Sequence, residues 1–108
     1  MAVLVYFTEA ALHDVDTAHA WMQSHHEPGR ADAWLRDIEA AVASLADLPE
    51  RGSFPPELLR VGMRDYRELV VAPWRIVYRV LPAGVFVYLI ADGRRDLQAL
   101  LELRVLQA

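Results

Sequence analysis

Apolar positions repeat with a helical period in the first half of the chain. A β-branched and aromatic run at residues 3–7 predicts a strand, and Thr8 follows it as a cap for a helix that begins at Glu9. An apolar stripe continues to Pro28, and a second stripe begins at about Ala31, so the short connection predicts an antiparallel helical hairpin. The members of the second stripe are Trp34, Ile38, Ala41, Leu45 and Leu48.

From residue 64 the apolar period changes to two, which predicts strands. The predicted strands are residues 66–71, 74–81 and 85–91. The last of them is nearly all apolar, which is typical of a central strand. Residues 57–62 predict at most a single helical turn, and residues 96–106 predict a final helix with a strand as the alternative.

The order strand, helix, helix, three strands and tail predicts an α+β fold. We expect an N-terminal strand and an antiparallel helical hairpin packed on a mostly antiparallel sheet of three or four strands, with a short C-terminal helix or tail. A chain of 108 residues is expected to form one domain over residues 1–108. That length buries enough surface to need no disulfide or metal.

Composition excludes several classes of protein. The chain has no Cys, which excludes a disulfide framework, a Cys-ligated zinc site and a thiol nucleophile. No apolar run approaches the roughly 20 residues of a membrane span, and the first residues lack the basic region and cleavage site of a signal peptide. We therefore expect a cytoplasmic protein without a membrane partner.

The charge of the chain is acidic overall, but its cations are all of one type. The net charge is −4, and all eleven cationic residues are Arg. Proteins that bind any duplex usually carry a basic excess, because neutralising phosphates drives their affinity. The balance disfavours that class of function and remains compatible with a local arginine cluster.

Alternation along residues 74–81 separates an apolar face from an arginine face. Trp74 and Ile76 share the face that we expect to meet the helices, and Arg75 and Arg79 share the other. The arginines that can converge on that second side are Arg67, Arg75, Arg79, Arg94 and Arg95. The pattern fits a solvated face paired with Asp65, Glu68 or Asp92, and it fits an anion or phosphate site; it does not decide between them.

Other reactive side chains carry weaker signals. His13 and His19 lie at helical spacing from Glu9 and Asp16, which predicts surface pairs. No two His have the spacing of a helical metal site, and no Ser has a nucleophile-elbow context. We expect neither a metal nor a cofactor. The tryptophans on the helical stripes, predicted to be core residues rather than ligand stackers, are Trp21 and Trp34.

The order of the motifs resembles the RelE/ParE superfamily of bacterial toxins. Residues 67–80 read Arg-Glu-Leu-Val-Val-Ala-Pro-Trp-Arg-Ile-Val-Tyr-Arg-Val, which is similar to the central signature of that superfamily. Residues 93–95 match its closing Gly-Arg-Arg turn. In the first half, Ala-x-x-Asp at 11–14 and Leu-x-x-x-Pro at 45–49 also fit. The resemblance covers nearly the whole chain.

This resemblance implies the toxin of a type II toxin–antitoxin pair, which inhibits growth, stabilises plasmids and is neutralised by a cognate antitoxin. RelE-like members are ribosome-dependent mRNA endoribonucleases. ParE-like members share the fold, lack the cleavage residues and poison DNA gyrase. The two groups therefore predict different targets for the same architecture.

Departures from the RelE-type pattern favour the ParE-like group. The positions that match basic residues of the nuclease cluster are Arg67, Arg75 and Arg95. The second basic position of the first strand falls on Leu69, and an expected Tyr falls near Leu101. Arg does not readily give up its proton, so no general base is evident. The match to ParE-like members is also imperfect, because Asp92 stands where many of them have His.

The favoured interpretation is a non-enzymatic, ParE-like inhibitor of DNA gyrase. Its candidate contacts to the target or the antitoxin are Arg67, Arg75, Arg79, Arg94 and Arg95. The first alternative is an mRNA endoribonuclease acting on the ribosome, with Arg67, Arg75 and Arg95 at the scissile phosphate. The second is a degenerate, non-toxic member that only binds an antitoxin. A homodimer or a toxin–antitoxin hetero-oligomer fits each interpretation.

Overall fold

A computed structural model describes residues 2–106 of the chain. The elements in chain order are β1 (Val5–Phe7), α1 (Glu9–His25), α2 (Arg30–Ala43), α3 (Pro56–Leu59), β2 (Tyr66–Val71), β3 (Trp74–Leu81), β4 (Gly84–Asp92) and α4 (Leu97–Leu101). The four strands form one sheet in the order β1-β4-β3-β2. The predicted α+β fold, with its helical hairpin and mostly antiparallel sheet, is confirmed.

The helical hairpin begins and ends close to the predicted positions. The Thr8 side chain accepts a hydrogen bond of 3.1 Å from the Ala11 N–H, which caps α1 as predicted. The α-helix of α2 ends at Ala43, and one 3₁₀ turn continues it over Ser44–Ala46. The stripe therefore stops sooner than the sequence predicts, and Leu48 is 62% exposed.

The sheet follows the sequence pattern closely. Strands β2 and β3 have the predicted bounds, and β4 lies centrally, between β1 and β3. Strand β1 pairs with β4 in parallel and begins at Val5, two residues later than predicted. An irregularity in the β3–β4 register leaves Tyr88 without an opposite residue.

One core lies between the hairpin and the sheet. Ile76 of β3 points into it, as predicted, together with Tyr78, and the Trp34 and Trp74 rings are 4.9 Å apart between centroids. The prediction that Trp21 belongs to this core is wrong, because its side chain is 54% exposed and stacks on His25. The stripe that contains Trp21 is wider than the surface that the sheet covers.

A second core covers much of the opposite side of the sheet, which we call the reverse face. Val77 and Leu89 point to this side and pack beneath the C-terminal helix α4. The other buried members of this core are Leu58, Tyr66, Ala91, Leu97, Leu101 and Val105. The alternation along β3 predicted an arginine surface here, but apolar side chains from α3 and from the C-terminal segment close a large part of this face.

The C-terminal helix is predicted correctly in its first half and is tied to α1. After α4 the chain continues in π-helical turns over Glu102–Leu106, and residues 107–108 lie outside the described residues. Arg104 donates two hydrogen bonds of 2.8 and 2.9 Å to the Asp14 carboxylate and one of 2.7 Å to the Tyr88 carbonyl. Asp14 also accepts the Ile90 N–H at 3.0 Å. These bonds pair backbone groups of β4 beyond the last residue of β1.

Candidate functional site

The five predicted site arginines do not form one cluster. Arg67 lies opposite Tyr78 in the β2–β3 register, so its side chain is on the face that packs on the helices. Arg75 and Arg79 lie on the reverse face. Arg94 and Arg95 line a groove beside the hairpin. The expectation that these residues converge on one side of the sheet is therefore wrong for Arg67, Arg94 and Arg95, and only Arg75 and Arg79 lie on the predicted side.

Arg75 is held between two carboxylates. Its Nη1 and Nη2 donate bonds of 2.7 Å to both oxygens of Glu57, and its Nε donates one of 2.6 Å to Glu68. The side chains of Arg75, Glu57 and Glu68 are 14%, 15% and 9% exposed. The pairing with Glu68 agrees with one of the two open alternatives, but the pair is largely buried rather than solvated, and Glu57 adds a second anion from α3.

The charge of Arg75 is balanced by carboxylates of the protein itself. The hydrogen bond donated by Arg75 lowers the pKa of the Glu57 carboxyl, and the bonds that Arg75 donates to Glu57 and Glu68 raise the pKa of its guanidinium. Two anions and one cation share a site that excludes most water, so removing the cation would leave uncompensated negative charge. Arg75 therefore has a carboxylate partner on each side, and these two anions disfavour the binding of an anionic ligand to it.

Arg67 and Arg79 are held by neutral groups. Arg67 Nη1 donates to the carbonyl oxygens of Glu50 at 3.1 Å and Gly52 at 2.8 Å. The Arg79 guanidinium lies 5.6 Å from the Tyr66 ring centroid. Within residues 2–106 neither side chain forms an ion pair. Unlike Arg75, both keep their charge uncompensated by a carboxylate contact.

Arg94 and Arg95 follow β4 and face a groove of about 830 Å³ between the hairpin and one end of the sheet. Arg94 pairs with Asp92, as one of the two predicted alternatives requires, and its hydrogen bonds lower the pKa of the Asp92 carboxyl. Arg94 and Arg95 are exposed, and Arg30 from the start of α2 reaches the same groove. The groove thus has three guanidinium groups along it.

The groove is lined by aromatic side chains as well as cations. Trp34 and Trp74 contribute to its wall, and the exposed Trp21 stands beside them. The Trp34 indole N–H is buried, and no acceptor in the described part of the chain bonds it. A buried donor of this kind is uncommon in folded proteins.

The predicted histidine pairs form differently. His19 Nε2 lies 2.8 Å from Asp32 of α2, rather than pairing with Asp16, and His13 contacts Thr17 at 3.4 Å. Among residues 2–106 no group of three His, Asp or Glu side chains is arranged to hold a metal ion. No helix in this range is long and apolar enough to cross a membrane.

Sequence reasoning missed several residues that shape these sites. Glu57, Arg30 and Arg64 were not singled out, because each lies in a loop or at a helix end, where no periodic pattern assigns a direction. Asp14 was noted only as part of a motif, although it anchors Arg104. The run Pro55-Pro56 before Glu57 was a usable signal, because Pro is favoured in the first turn of a helix.

The comparisons with known proteins point to one family. The model described as "ParE toxin of type II toxin-antitoxin system, parDE" matches residues 5–97. A chain from the solved structure "Chromosomal ParDE TA system from P. aeruginosa" aligns at 19% identity with a TM-score of 0.69, covering 84% of this chain and 96% of that chain. No curated protein matches the sequence. The chain belongs to the ParE toxin family of type II toxin–antitoxin systems.

Proposed function

We propose that the protein is a ParE-like toxin of the cytoplasm that binds and inhibits DNA gyrase and is neutralised by a cognate antitoxin. Family membership supports the toxin class, and resemblance to the ParE-like group supports gyrase as the target. The observation that carries the non-enzymatic mechanism is the pairing of Arg75 with Glu57 and Glu68.

A ribonuclease of the RelE type needs free positive charge around the scissile phosphate and a group that moves the 2′-hydroxyl proton. Arg75 is already neutralised by two carboxylates, and Arg67 lies on the other face of the sheet. Leu69 and Leu101 are buried in the two cores, at the positions where further catalytic groups were expected. These contacts support binding rather than cleavage as the mode of action.

The groove beside the hairpin is the proposed antitoxin-binding surface. Its exposed Trp21 and its Trp34 and Trp74 wall offer apolar contact area, and Arg30 and Arg95 offer charge for acidic side chains. An acidic, amphipathic segment of the antitoxin satisfies both features.

The test of the target is a supercoiling assay with purified gyrase, relaxed plasmid and ATP. We expect inhibition at micromolar concentrations of the toxin, and relief when antitoxin is added first. No inhibition would remove gyrase as the target. Cleavage of mRNA in the ribosomal A site, abolished by Arg95→Ala, would establish the ribonuclease instead. Overexpression without growth arrest would establish a non-toxic family member.

The test of the groove compares Trp21→Ala with Leu12→Ala, a second exposed apolar residue of α1 that does not line the groove. We expect Trp21→Ala to weaken antitoxin binding at least tenfold, because an exposed Trp at an interface is often a dominant contact. Leu12→Ala is expected to bind as the wild type does. Equal affinity of the two variants would place the antitoxin elsewhere.

A further inference from the structure

Three arginines gather around one small pocket that the groove does not include. The pocket has a volume of about 250 Å³ and lies at the start of β2. Its walls include Glu50, Phe54, Arg64, Asp65, Arg67 and Arg79. Arg67 and Arg79 come from opposite faces of the sheet, and both line the pocket at the end of the sheet where β2 begins.

Neutral groups hold these three guanidiniums in place. The Arg67 and Arg64 guanidinium carbons lie 4.6 and 5.9 Å from the centroid of the Phe54 ring. Arg67 also bonds two carbonyl oxygens, and Arg79 lies over Tyr66. Rings and carbonyls orient a guanidinium but do not cancel its unit charge. The pocket is therefore ordered by contacts that leave its cations electrostatically unsatisfied.

The arginines of this pocket differ from three other arginines of the chain in their ion pairing. Arg75, Arg94 and Arg104 each form an ion pair, whereas within residues 2–106 no ion pair reaches Arg64, Arg67 or Arg79. The carboxylates of Glu50 and Asp65 line the pocket, and within the described residues neither forms an ion pair with a guanidinium. Three guanidiniums and two carboxylates leave the pocket wall with a net positive charge, which favours an anion as ligand.

We propose that this pocket binds a phosphate group, either of a nucleic-acid backbone or free in solution. Planar guanidiniums donate paired hydrogen bonds that match phosphate oxygens, and several of them around one cavity favour a multiply charged anion. The site is separate from the groove assigned to the antitoxin. The inference does not depend on gyrase inhibition, so a failed supercoiling assay leaves it standing.

The first experiment titrates the ¹⁵N-labelled protein with inorganic phosphate at constant ionic strength and follows the arginine Nε–H signals by NMR. We expect saturable shifts at the three pocket arginines, and at least tenfold weaker binding in Arg64→Gln and in Arg79→Gln. The matched control is Arg36→Gln, which removes an exposed arginine of α2 outside the pocket and is expected to bind as the wild type does. Shifts that do not saturate, or that survive both pocket variants, would overturn the proposal.

A second variant predicts a gain that a structural cluster would not show. Asp65→Asn removes a negative charge from the pocket wall and is expected to tighten phosphate binding several-fold. This variant retains all three pocket arginines, and a tighter phosphate affinity cannot be explained by loss of the folded structure. Unchanged or weaker phosphate binding in this variant would contradict the proposal.

Two further arms identify the source of the phosphate. If the backbone of a nucleic acid is the ligand, duplex or single-stranded oligonucleotides shift the same signals, and Arg79→Gln reduces the salt dependence of binding by about one unit of slope. If oligonucleotides have no effect while inorganic phosphate binds, the site takes free phosphate. A glutamate-rich peptide that binds where neither form of phosphate does would overturn phosphate as the ligand.

Discussion

Arg75 and Arg79 lie four residues apart on the same face of β3, and the fold treats them in opposite ways. Arg75 is enclosed by Glu57 and Glu68 at hydrogen-bond distances of 2.6 to 2.7 Å. Arg79 rests on the Tyr66 ring without an ion pair among the described residues. Both residues are arginines on the same face of the same strand. The groups that contact each guanidinium therefore decide whether it stabilises the fold or remains available to bind a ligand.

The source of each partner explains the difference. Glu68 comes from the neighbouring strand, and Glu57 comes from a short helix 18 residues before Arg75. Toward the other end of β3, residues 2–106 supply the aromatic ring of Tyr66 and no ion pair for Arg79. Arginine clusters in this family member should therefore be judged by their contacts before a role in catalysis or binding is assigned.

The largest expected effect is on stability and belongs to Arg75. Arg75→Ala leaves Glu57 and Glu68 facing each other in a partly buried site, and we expect a loss of about 3 kcal/mol of unfolding free energy. Urea denaturation followed by circular dichroism measures it. If the variant does not fold, Arg75→Met combined with Glu57→Gln and Glu68→Gln removes all three charges together and is expected to fold. An Arg75→Ala protein as stable as the wild type would contradict the structural role of Arg75 and the contrast with Arg79.

The Arg104–Asp14 pair is expected to give the next largest effect. Arg104→Ala removes three hydrogen bonds that join the C-terminal helix to α1 and β4, and we expect a loss of about 2 kcal/mol. Hydrogen exchange should increase first in α4, because that helix loses its anchor. Arg104→Lys keeps the charge and should recover part of the loss. Exchange that increases only in β2 would contradict this assignment.

The pairing of Glu57 also predicts a pH dependence. The pKa of Glu57 is lower in the folded protein than in the unfolded chain, because Arg75 bonds the ionised carboxylate. Its contribution is fully present above the unfolded pKa of 4.5 and is lost as the pH falls below that value through the lower folded pKa. Glu57→Gln should lose less stability than the wild type over this range. Identical pH profiles in urea denaturation would rule out the contribution.

The smallest expected change in stability belongs to Arg79. Arg79→Ala removes a contact with the Tyr66 ring and no ion pair, so the free energy of unfolding should change by about 0.5 kcal/mol. The same urea experiment used for Arg75 measures it. A loss as large as that of Arg75→Ala would show that Arg79 has a structural role, and it would remove the contrast on which the phosphate pocket depends.

The sequence predicted the bounds of the strands better than it predicted which segments cover each face of the sheet. The period of two located β2 and β3 to the residue, because alternation and the turn at Ala72-Pro73 are local signals. The pattern could not show that α4 covers the reverse face, since a poor apolar stripe at residues 97–106 gives no packing direction. It also placed Trp21 in the core, because a helical stripe does not reveal how far the covering sheet extends.

The candidate site was predicted in its residue types but not in its geometry. Arg67 was placed with Arg75 because both belong to neighbouring strands, yet their pairing register puts them on opposite faces. Arg64 was missed because it lies before the strand begins, where alternation gives no face. Ion-pair partners from distant loops, such as Glu57, depend on tertiary structure and leave no periodic signal.

The most direct test of the account is gyrase supercoiling with the wild type and with the charge-free variant Arg75→Met, Glu57→Gln, Glu68→Gln. If Arg75 only stabilises the fold and the toxin acts by binding, both proteins inhibit supercoiling at the same concentration. A folded variant that no longer inhibits would give Arg75 a direct role at the target, and a wild type that does not inhibit would contradict the proposed function.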